Sequence, residues 1–190
     1  NIEYVRVKSF NPYTGAEAIY IVAKALISTW FNPKAAEIPL EDYKVGDKLI
    51  PFKVLDGVFK GSDLVGIRYH QLSPWFKPLE GDAFRVIQGD YVSIDEGTTG
   101  IVHIAPTFGA DDKKVATAAG IPPMMVLDKN GNRQPQVDHD GRFFPIEDLD
   151  SEYVKTHVAP EYKEYAGRFV KNAFDDSLPK DAPTLDVDLC

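Results

Sequence analysis

The chain has 190 residues, 44% hydrophobic and 26% charged, a balance that excludes wholesale disorder, collagen and coiled coil. Its 21 Lys and Arg against 29 Asp and Glu leave a net charge of −8, which argues against general adhesion to nucleic acid or anionic lipid but leaves room for a local basic patch. The single cysteine, Cys190, excludes an intrachain disulfide, a CxxC redox pair and a cysteine-built zinc site, and no apolar run nears the ~20 residues of a membrane helix.

Both ends read as cut. The chain opens on Asn1 and enters a strand-like alternation from Ile2 to Lys8, with no signal-peptide pattern. It closes on another alternating run, Leu185 to Cys190, so a segment of a longer protein is expected. Asn11-Pro12-Tyr13-Thr14-Gly15 predicts a turn. Residues 18–30 start β-branched (Ile19, Ile21, Val22) and continue with helix formers from Ala23 to Leu26, which predicts strand then helix. Pro33 and Pro39 bracket a loop or short helix, 48–55 reads as extended, and Gly61-Ser62-Asp63-Leu64 turns the chain before another short strand. Residues 83–88 and 91–94 predict a hairpin closed at Gly89-Asp90, and 100–105 a further strand stopped by Pro106. Asp111 and Asp112 open a helix over 110–119 that Gly120 and Pro122 end. Turns are predicted at 129–132 and around Asp140-Gly141 between short strands, and 147–165 reads as partly helical with Pro160 as a break. The pattern predicts one mainly β domain over 1–190, a barrel or sandwich core with a few short flanking helices.

Phosphate-loop, GxGxxG, GxSxG and HExxH motifs are all missing. Asp128-Lys129-Asn130-Gly131 has its glycine too early for a calcium loop and reads as a turn. Asp138-His139-Asp140 also sits in a turn, where Asx side chains bond their own backbone, so no metal is assigned there. His70 and His157 have no companions. His103 differs in its surroundings: a strand over 100–105 would place Ile101, His103 and Ala105 on one face, and the next helix begins with Asp111-Asp112. Strand and helix would then deliver His103 and Asp112 to one end of the fold, where a carboxylate could receive a cationic ligand group. The plainer reading makes Asp112 a helix cap, Gly97-Thr98-Thr99-Gly100 a tight turn and His103 a buried, satisfied histidine; on spacing alone it is the stronger of the two.

The run Gly100-Ile101-Val102-His103-Ile104-Ala105-Pro106-Thr107-Phe108-Gly109-Ala110-Asp111-Asp112 resembles the signature of the editing domain of isoleucyl-tRNA synthetase, a class I aminoacyl-tRNA synthetase. Gly61 to Gly66 with Tyr69, Phe84 to Ile87 leading to Asp90 to Ser93, Asp140 to Phe143 and Ala166 to Val170 agree with it, so the resemblance covers nearly the whole chain. His103 before Ala105-Pro106, and Phe108-Gly109 after it, separate the isoleucyl pattern from the valyl and leucyl editing domains, which remain the alternative. The resemblance implies a β-barrel-like domain inserted in the catalytic domain of a larger cytoplasmic synthetase. Its implied reaction is hydrolysis of valine wrongly esterified to isoleucine tRNA. Asp112 would grip the substrate's α-ammonium group and His103 would line the side-chain pocket. Thr98, Thr99, Gly100, Phe108, Gly109 and Asp111 would shape the rest, and Lys113 and Lys114 are candidate phosphate contacts. No metal or cofactor is implied in this domain, ATP and magnesium serving the parent catalytic domain. The implied partners are the tRNA 3′ end, carrying a small aliphatic aminoacyl group, and the catalytic domain of the same polypeptide, with no membrane. The family's threonine-rich segment has no match in residues 1–30, which leaves a catalytically incomplete binding module as a second alternative.

Overall fold

Seven residue pairs in antiparallel register join β1 (Glu3–Phe10) to β2 (Glu17–Ala23), from Tyr4 opposite Ala23 to Phe10 opposite Glu17. Val5, Val7 and Ser9 share one face of β1 and are buried, as the two-residue period of a strand requires. Ser9 satisfies its hydroxyl by donating to Pro51 O at 2.8 Å. The connecting turn is organised by Asn11, whose Oδ1 accepts the Tyr13 and Thr14 N–H groups, and Gly15 supplies a φ of +70°. These strands come from a computed structural model that describes residues 2–95, 97–172, 175–179 and 181–182. The alternating run at 185–190 lies outside those residues.

The chain divides into two compact units, Asn1–Arg68 with Arg85–His103 and Tyr69–Phe84 with Ile104–Cys190. In the first, β1 is the centre of its sheet. Short β3 (Lys53–Val54) and β4 (Phe59–Lys60) pair with the edge of β1 opposite β2. Strand β2 passes through a 3₁₀ turn at Lys24–Leu26 into a one-turn helix, α1 (Ile27–Trp30), so the predicted change from strand to helix falls at Ala23. Tyr4, Val5, Val7, Val22, Leu26, Phe52 and Leu64 form the core, with Phe31 and Val86 packed against it. Each such side chain contributes roughly 1.5–3 kcal/mol on burial.

In the second unit, α2 (Ala110–Ala118) ends as predicted: Gly120, at φ +69°, donates to Thr117 O, and Ile121 N–H reaches back to Ala116 O. Strands β5 (Met125–Leu127) and β6 (Arg133–Pro135) form a hairpin over the predicted turn. Helix α3 (Ser151–His157) is capped by Asp150, which accepts from the Glu152 and Tyr153 N–H groups. A 3₁₀ turn at Pro160–Glu164 follows. Phe76, Val126, Leu149, Tyr153 and Tyr162 make this unit's core.

Several predicted strands are absent. The short strand expected after Gly61–Leu64 and those expected around Asp140-Gly141 are reduced to the single bridges Arg68–Arg85, Val137–Phe143 and Arg142–Phe169. Residues 83–88 and 91–94 do not form a hairpin: Val86 donates to Ile67 O at 2.8 Å and accepts from Gly66 N–H at 2.9 Å, and Arg68 bridges Arg85. Both backbone groups of Val86 are therefore committed to a segment twenty residues earlier, and Phe84, at φ 57°, breaks the extended run. Residues 100–105 form no strand either: at its two ends Gly100 O accepts from the Tyr4 hydroxyl and Ala105 N–H donates to Asp112 Oδ2, and no ladder forms between them. The architecture is mostly β, with antiparallel sheets and a few short helices, as the sequence predicts; the described strands do not close into a barrel. Among the described residues no helix is long and apolar enough to cross a membrane.

Candidate functional site

In the first unit, three successive carbonyls of the Gly97-Thr98-Thr99-Gly100 segment are each held by a different element. Trp30 Nε1, at the end of α1, donates to Thr98 O at 2.8 Å. Ala23 N–H, at the end of β2, donates to Thr99 O at 3.1 Å, and the buried Tyr4 hydroxyl of β1 donates to Gly100 O. Burial raises the Tyr4 pKa, which keeps the phenol a neutral donor. Gly100 is required here for two reasons. Its φ is +78°, and a Cβ would lie 2.7 Å from the Ala23 Cβ and 3.3 Å from Tyr4 Cε1. The threonine hydroxyls close the segment on itself, Thr98 Oγ1 donating to Asp95 O at 2.8 Å and Thr99 Oγ1 to Ile101 O at 3.0 Å.

The sequence reading treated this segment as a tight turn or a pocket edge. It missed Tyr4, Ala23 and Trp30, which fix it from 68 to 96 residues away. A buried tyrosine at the start of a strand carries no local sign of such a distant acceptor. His103 follows on exposed backbone, with Ile101 46% and Val102 42% exposed. The expectation of a buried, satisfied histidine is therefore overturned, and the strand alternation that would have aimed its side chain is absent.

In the second unit, Asp112 stands in the first turn of α2 and folds back over the helix start. Its Oδ2 accepts the Ala105 N–H at 2.9 Å. Ala105 O in turn accepts from Phe108 and Gly109, both at 3.0 Å, so the 105–112 turn is closed at both of Ala105's backbone groups. Gly109 is the N-cap, and a Cβ there would meet Asp112 Oδ2 at 2.8 Å and Cγ at 2.9 Å. Only glycine lets the carboxylate lie so close to the backbone. One Asp112 oxygen thus organises the turn, while among the described residues Oδ1 of this half-buried group has no hydrogen-bond donor and could receive a cationic or N–H group. Asp111, Lys113 and Lys114 are exposed, as is Phe108 at 63%. Thr107 Oγ1 donates to Met124 O at 3.0 Å, tying the turn to the chain beyond the helix.

The remaining polar motifs are structural. Asp128 spends both carboxylate oxygens on its own hairpin, accepting from the Asn130 and Asn132 N–H groups and from the Asn132 and Gln134 amides. Those bonds hold its pKa below the usual carboxylate range. Asp138 Oδ1 accepts from Asp140 and Arg142 N–H groups, the Asx geometry the sequence predicts. His157 stacks on Tyr153 and lies 2.8 Å from Thr156 Oγ1. Among the described residues no group of three or more His, Cys, Asp or Glu could hold a metal ion.

The chain is 57% identical over 190 residues to the isoleucine–tRNA ligase of Bacteroides fragilis, which covers all of this chain and 16% of that protein. It is 52% identical over 192 residues to that of Porphyromonas gingivalis, with the same coverage. The cytoplasmic isoleucine–tRNA ligase of Arabidopsis thaliana is 33% identical over 201 residues, 94% of this chain and 14% of that protein. The chain thus spans about 16% of the length of these two bacterial relatives. No protein-family model matches it.

Proposed function

The chain belongs to the isoleucine–tRNA ligase family as a segment spanning 16% of the enzyme's length, and on this premise we propose that it is the family's editing domain, a single unit of function inserted in the catalytic domain. The observation that carries the reading is 57% identity over all 190 residues, which supports the resemblance of the 100–112 run. The proposed reaction is hydrolysis of valine misesterified to isoleucine tRNA in the cytoplasm, with the tRNA 3′ end as substrate. ATP and magnesium serve the catalytic domain of the same polypeptide and have no part in this step. Such a step is needed because one missing methylene is worth only ~1–3 kcal/mol in a binding pocket, a limit for which the isoleucine–valine pair is itself the reference case.

In this reading Asp112 anchors the α-ammonium group of the aminoacyl ester through the oxygen that Ala105 leaves open. His103, exposed, lines the pocket for the side chain. Thr98, Thr99 and Gly100 present a backbone whose carbonyls are already committed, so the segment keeps one shape when substrate arrives. Phe108, Gly109 and Asp111 shape the turn that carries Asp112. Water oxygen bonds to the ester carbonyl carbon, the carbon–ribose oxygen bond breaks, and the ribose oxygen takes the proton, giving valine and a free tRNA 3′ end. Positioning of ester and water supplies the catalysis, with no protein nucleophile.

The test is binding of a non-hydrolysable valyl-adenosine analogue and its isoleucyl counterpart to the chain and to Asp112→Ala, followed by deacylation of valyl-tRNA. Selective valyl binding that disappears in Asp112→Ala is expected. A folded chain that binds neither compound sinks the reading. Selective binding without deacylation makes the segment a binding module.

A further inference from the structure

In the second unit, Asp128-Lys129-Asn130-Gly131 turns β5 into β6, and nothing in the editing reading uses it. Asn130 is the one asparagine of the chain that precedes a glycine; Asn11 and Asn32 precede prolines, and Asn132 precedes Arg133. An asparagine loses its amide when the backbone nitrogen of the next residue attacks its side-chain carbonyl carbon. A proline nitrogen has no hydrogen to give up, and a following Cβ crowds the approach. Gly131 presents neither obstacle: it is exposed, at φ +80°, with open space where a Cβ would stand. Asn130 is exposed too. Among the described residues it enters the hydrogen bonding through its N–H alone, which leaves its carboxamide unheld.

The backbone around this pair is held in one shape. Gly131 N–H, the group that would have to lose its proton, donates to Asp128 O at 2.8 Å. Asp128 Oδ1 accepts the Asn130 and Asn132 N–H groups, each at 2.9 Å, and Oδ2 accepts the amides of Asn132 at 3.2 Å and Gln134 at 3.0 Å. The base of the turn is pinned from outside the hairpin, with Lys129 N–H donating to Asp148 O at 2.8 Å and Lys129 Nζ pairing with Asp148 Oδ1 at 2.7 Å. Two costs therefore stand in the way of attack by Gly131. Its hydrogen bond must be given up, and its nitrogen must become an anion between two residues whose N–H groups already hold the Asp128 carboxylate. Local opening of the hairpin removes both costs.

We propose that Asn130–Gly131 is a deamidation site, kept closed by the Asp128 turn in the folded chain and exposed to reaction when the β5–β6 hairpin comes apart. In the open state Gly131 N gives its proton to solvent hydroxide and bonds to Asn130 Cγ. The Cγ–Nδ2 bond breaks and ammonia leaves, which closes a succinimide ring. Water then adds at one of the two ring carbonyls. Cleavage of the Cγ–N bond gives aspartate, and cleavage at the backbone carbonyl gives isoaspartate. The sum is one water consumed and one ammonia released, with nothing oxidised or reduced. Either product places a new carboxylate beside Asp128, and isoaspartate also lengthens the turn by one backbone atom, so the bonds of Gly131 and Asn132 to Asp128 cannot all re-form. Each opening that reaches the ring is thereby recorded permanently in the chain.

The experiment follows the Asn130 peptide by mass spectrometry in mildly alkaline buffer, with methylation by a protein isoaspartate methyltransferase as a second readout. The wild-type chain is incubated folded and in concentrated urea, beside folded Asp128→Asn and Gln134→Ala. The folded chain should convert at least about tenfold more slowly than the unfolded one, the cost of the Gly131 hydrogen bond alone. Asp128→Asn, which keeps an acceptor and drops the charge, should recover most of that factor. Gln134→Ala, which removes one of the four donors and keeps the charge, should recover less of it. Circular dichroism reports whether each variant is folded, and where Asp128→Asn is not, Gln134→Ala decides the point. Equal rates in the folded and unfolded wild-type chain overturn the proposal. So does an unfolded chain in which Asn130 stays intact, or folded variants that convert at the wild-type rate. Chain aged in urea and returned to buffer should then unfold at a lower urea midpoint than chain exposed only briefly, and an unchanged midpoint after full conversion overturns the assigned damage to the turn.

Discussion

Replacing Tyr4 by Phe removes one atom from the bond that fixes Gly100. The ring would keep its stacked contact with Phe59, 6.3 Å between centroids, and its place in the core. What is lost is the donor to Gly100 O, and both residues are buried, so water cannot replace it cheaply. A buried carbonyl left without its partner costs ~1–3 kcal/mol, whereas emptying the whole side chain in Tyr4→Ala should cost about 3–5 kcal/mol. With ~2 kcal/mol lost and a urea slope of about 2 kcal/mol/M, the unfolding midpoint should fall by ~1 M. The two tryptophans make the assay local, since Trp30 belongs to the first unit and Trp75 to the second. In a Trp75→Phe background, fluorescence reports on Trp30, whose indole donates to Thr98 O two residues from the lost bond. The pH dependence has a definite sign. Burial raises the folded-state pKa of Tyr4, so its contribution is complete below about pH 10 and is lost as pH rises through the raised value. The wild-type advantage over Tyr4→Phe should shrink in alkali. A Tyr4→Phe midpoint within about 0.2 M of wild type, about a fifth of the worked effect, would refute the claim that this bond holds the segment.

Gly100→Ala should be harsher than its size implies, because the new methyl meets Ala23 at 2.7 Å on a backbone at φ +78°; a loss of about 2 kcal/mol or more, read as a lowered thermal midpoint, is expected. Asp112→Asn keeps an oxygen for the Ala105 N–H and drops the charge, so stability should stay within about 0.5 kcal/mol of wild type while valyl-adenosine binding falls steeply; Asp112→Ala should lose binding and also ~1 kcal/mol of stability. For Asp128 the folded-state pKa lies below the ordinary carboxylate value, so its stabilising effect is present above about pH 4 and disappears as pH falls through the lowered value. A series of urea midpoints from pH 2 to 6 should therefore converge for wild type and Asp128→Asn at the acid end.

The parts of this fold that local sequence encodes are those whose partners are close in sequence. The β1–β2 ladder follows from alternation on either side of an Asn-to-Gly turn, and α2 from an acidic first turn and a glycine stop, each within about ten residues of its own signal. The 83–94 hairpin failed because its apolar pattern fitted a nearby partner and tertiary packing supplied a more distant one at Gly66 and Ile67. The same holds for 100–105, which has the β-branched composition of a strand and is held by single bonds. At the candidate site, the turn at Phe108-Gly109 and the acidic start of α2 were readable because they adjoin, but Asp112 is not the cap that its position suggests: Gly109 is the N-cap and Asp112 reaches back to Ala105 N–H. The clamp of Tyr4, Ala23 and Trp30 was not readable, since nothing at those positions signals an acceptor near residue 100.

The interleaved composition of the two units bears on how the chain is made. The first unit needs residues 85–103 as well as 1–68, and the Tyr4–Gly100 bond spans 96 positions. During synthesis β1 and β2 can pair early, yet the carbonyls of Thr98 to Gly100 arrive only after the stretch at 69–84, which belongs to the other unit, has already emerged. Until then the Tyr4 hydroxyl and Ala23 N–H wait without these partners, and Phe76 is exposed before its core companions Tyr153 and Tyr162 exist. At ~5–20 residues per second that interval lasts several seconds, so the growing chain rather than the finished one is where aggregation would start.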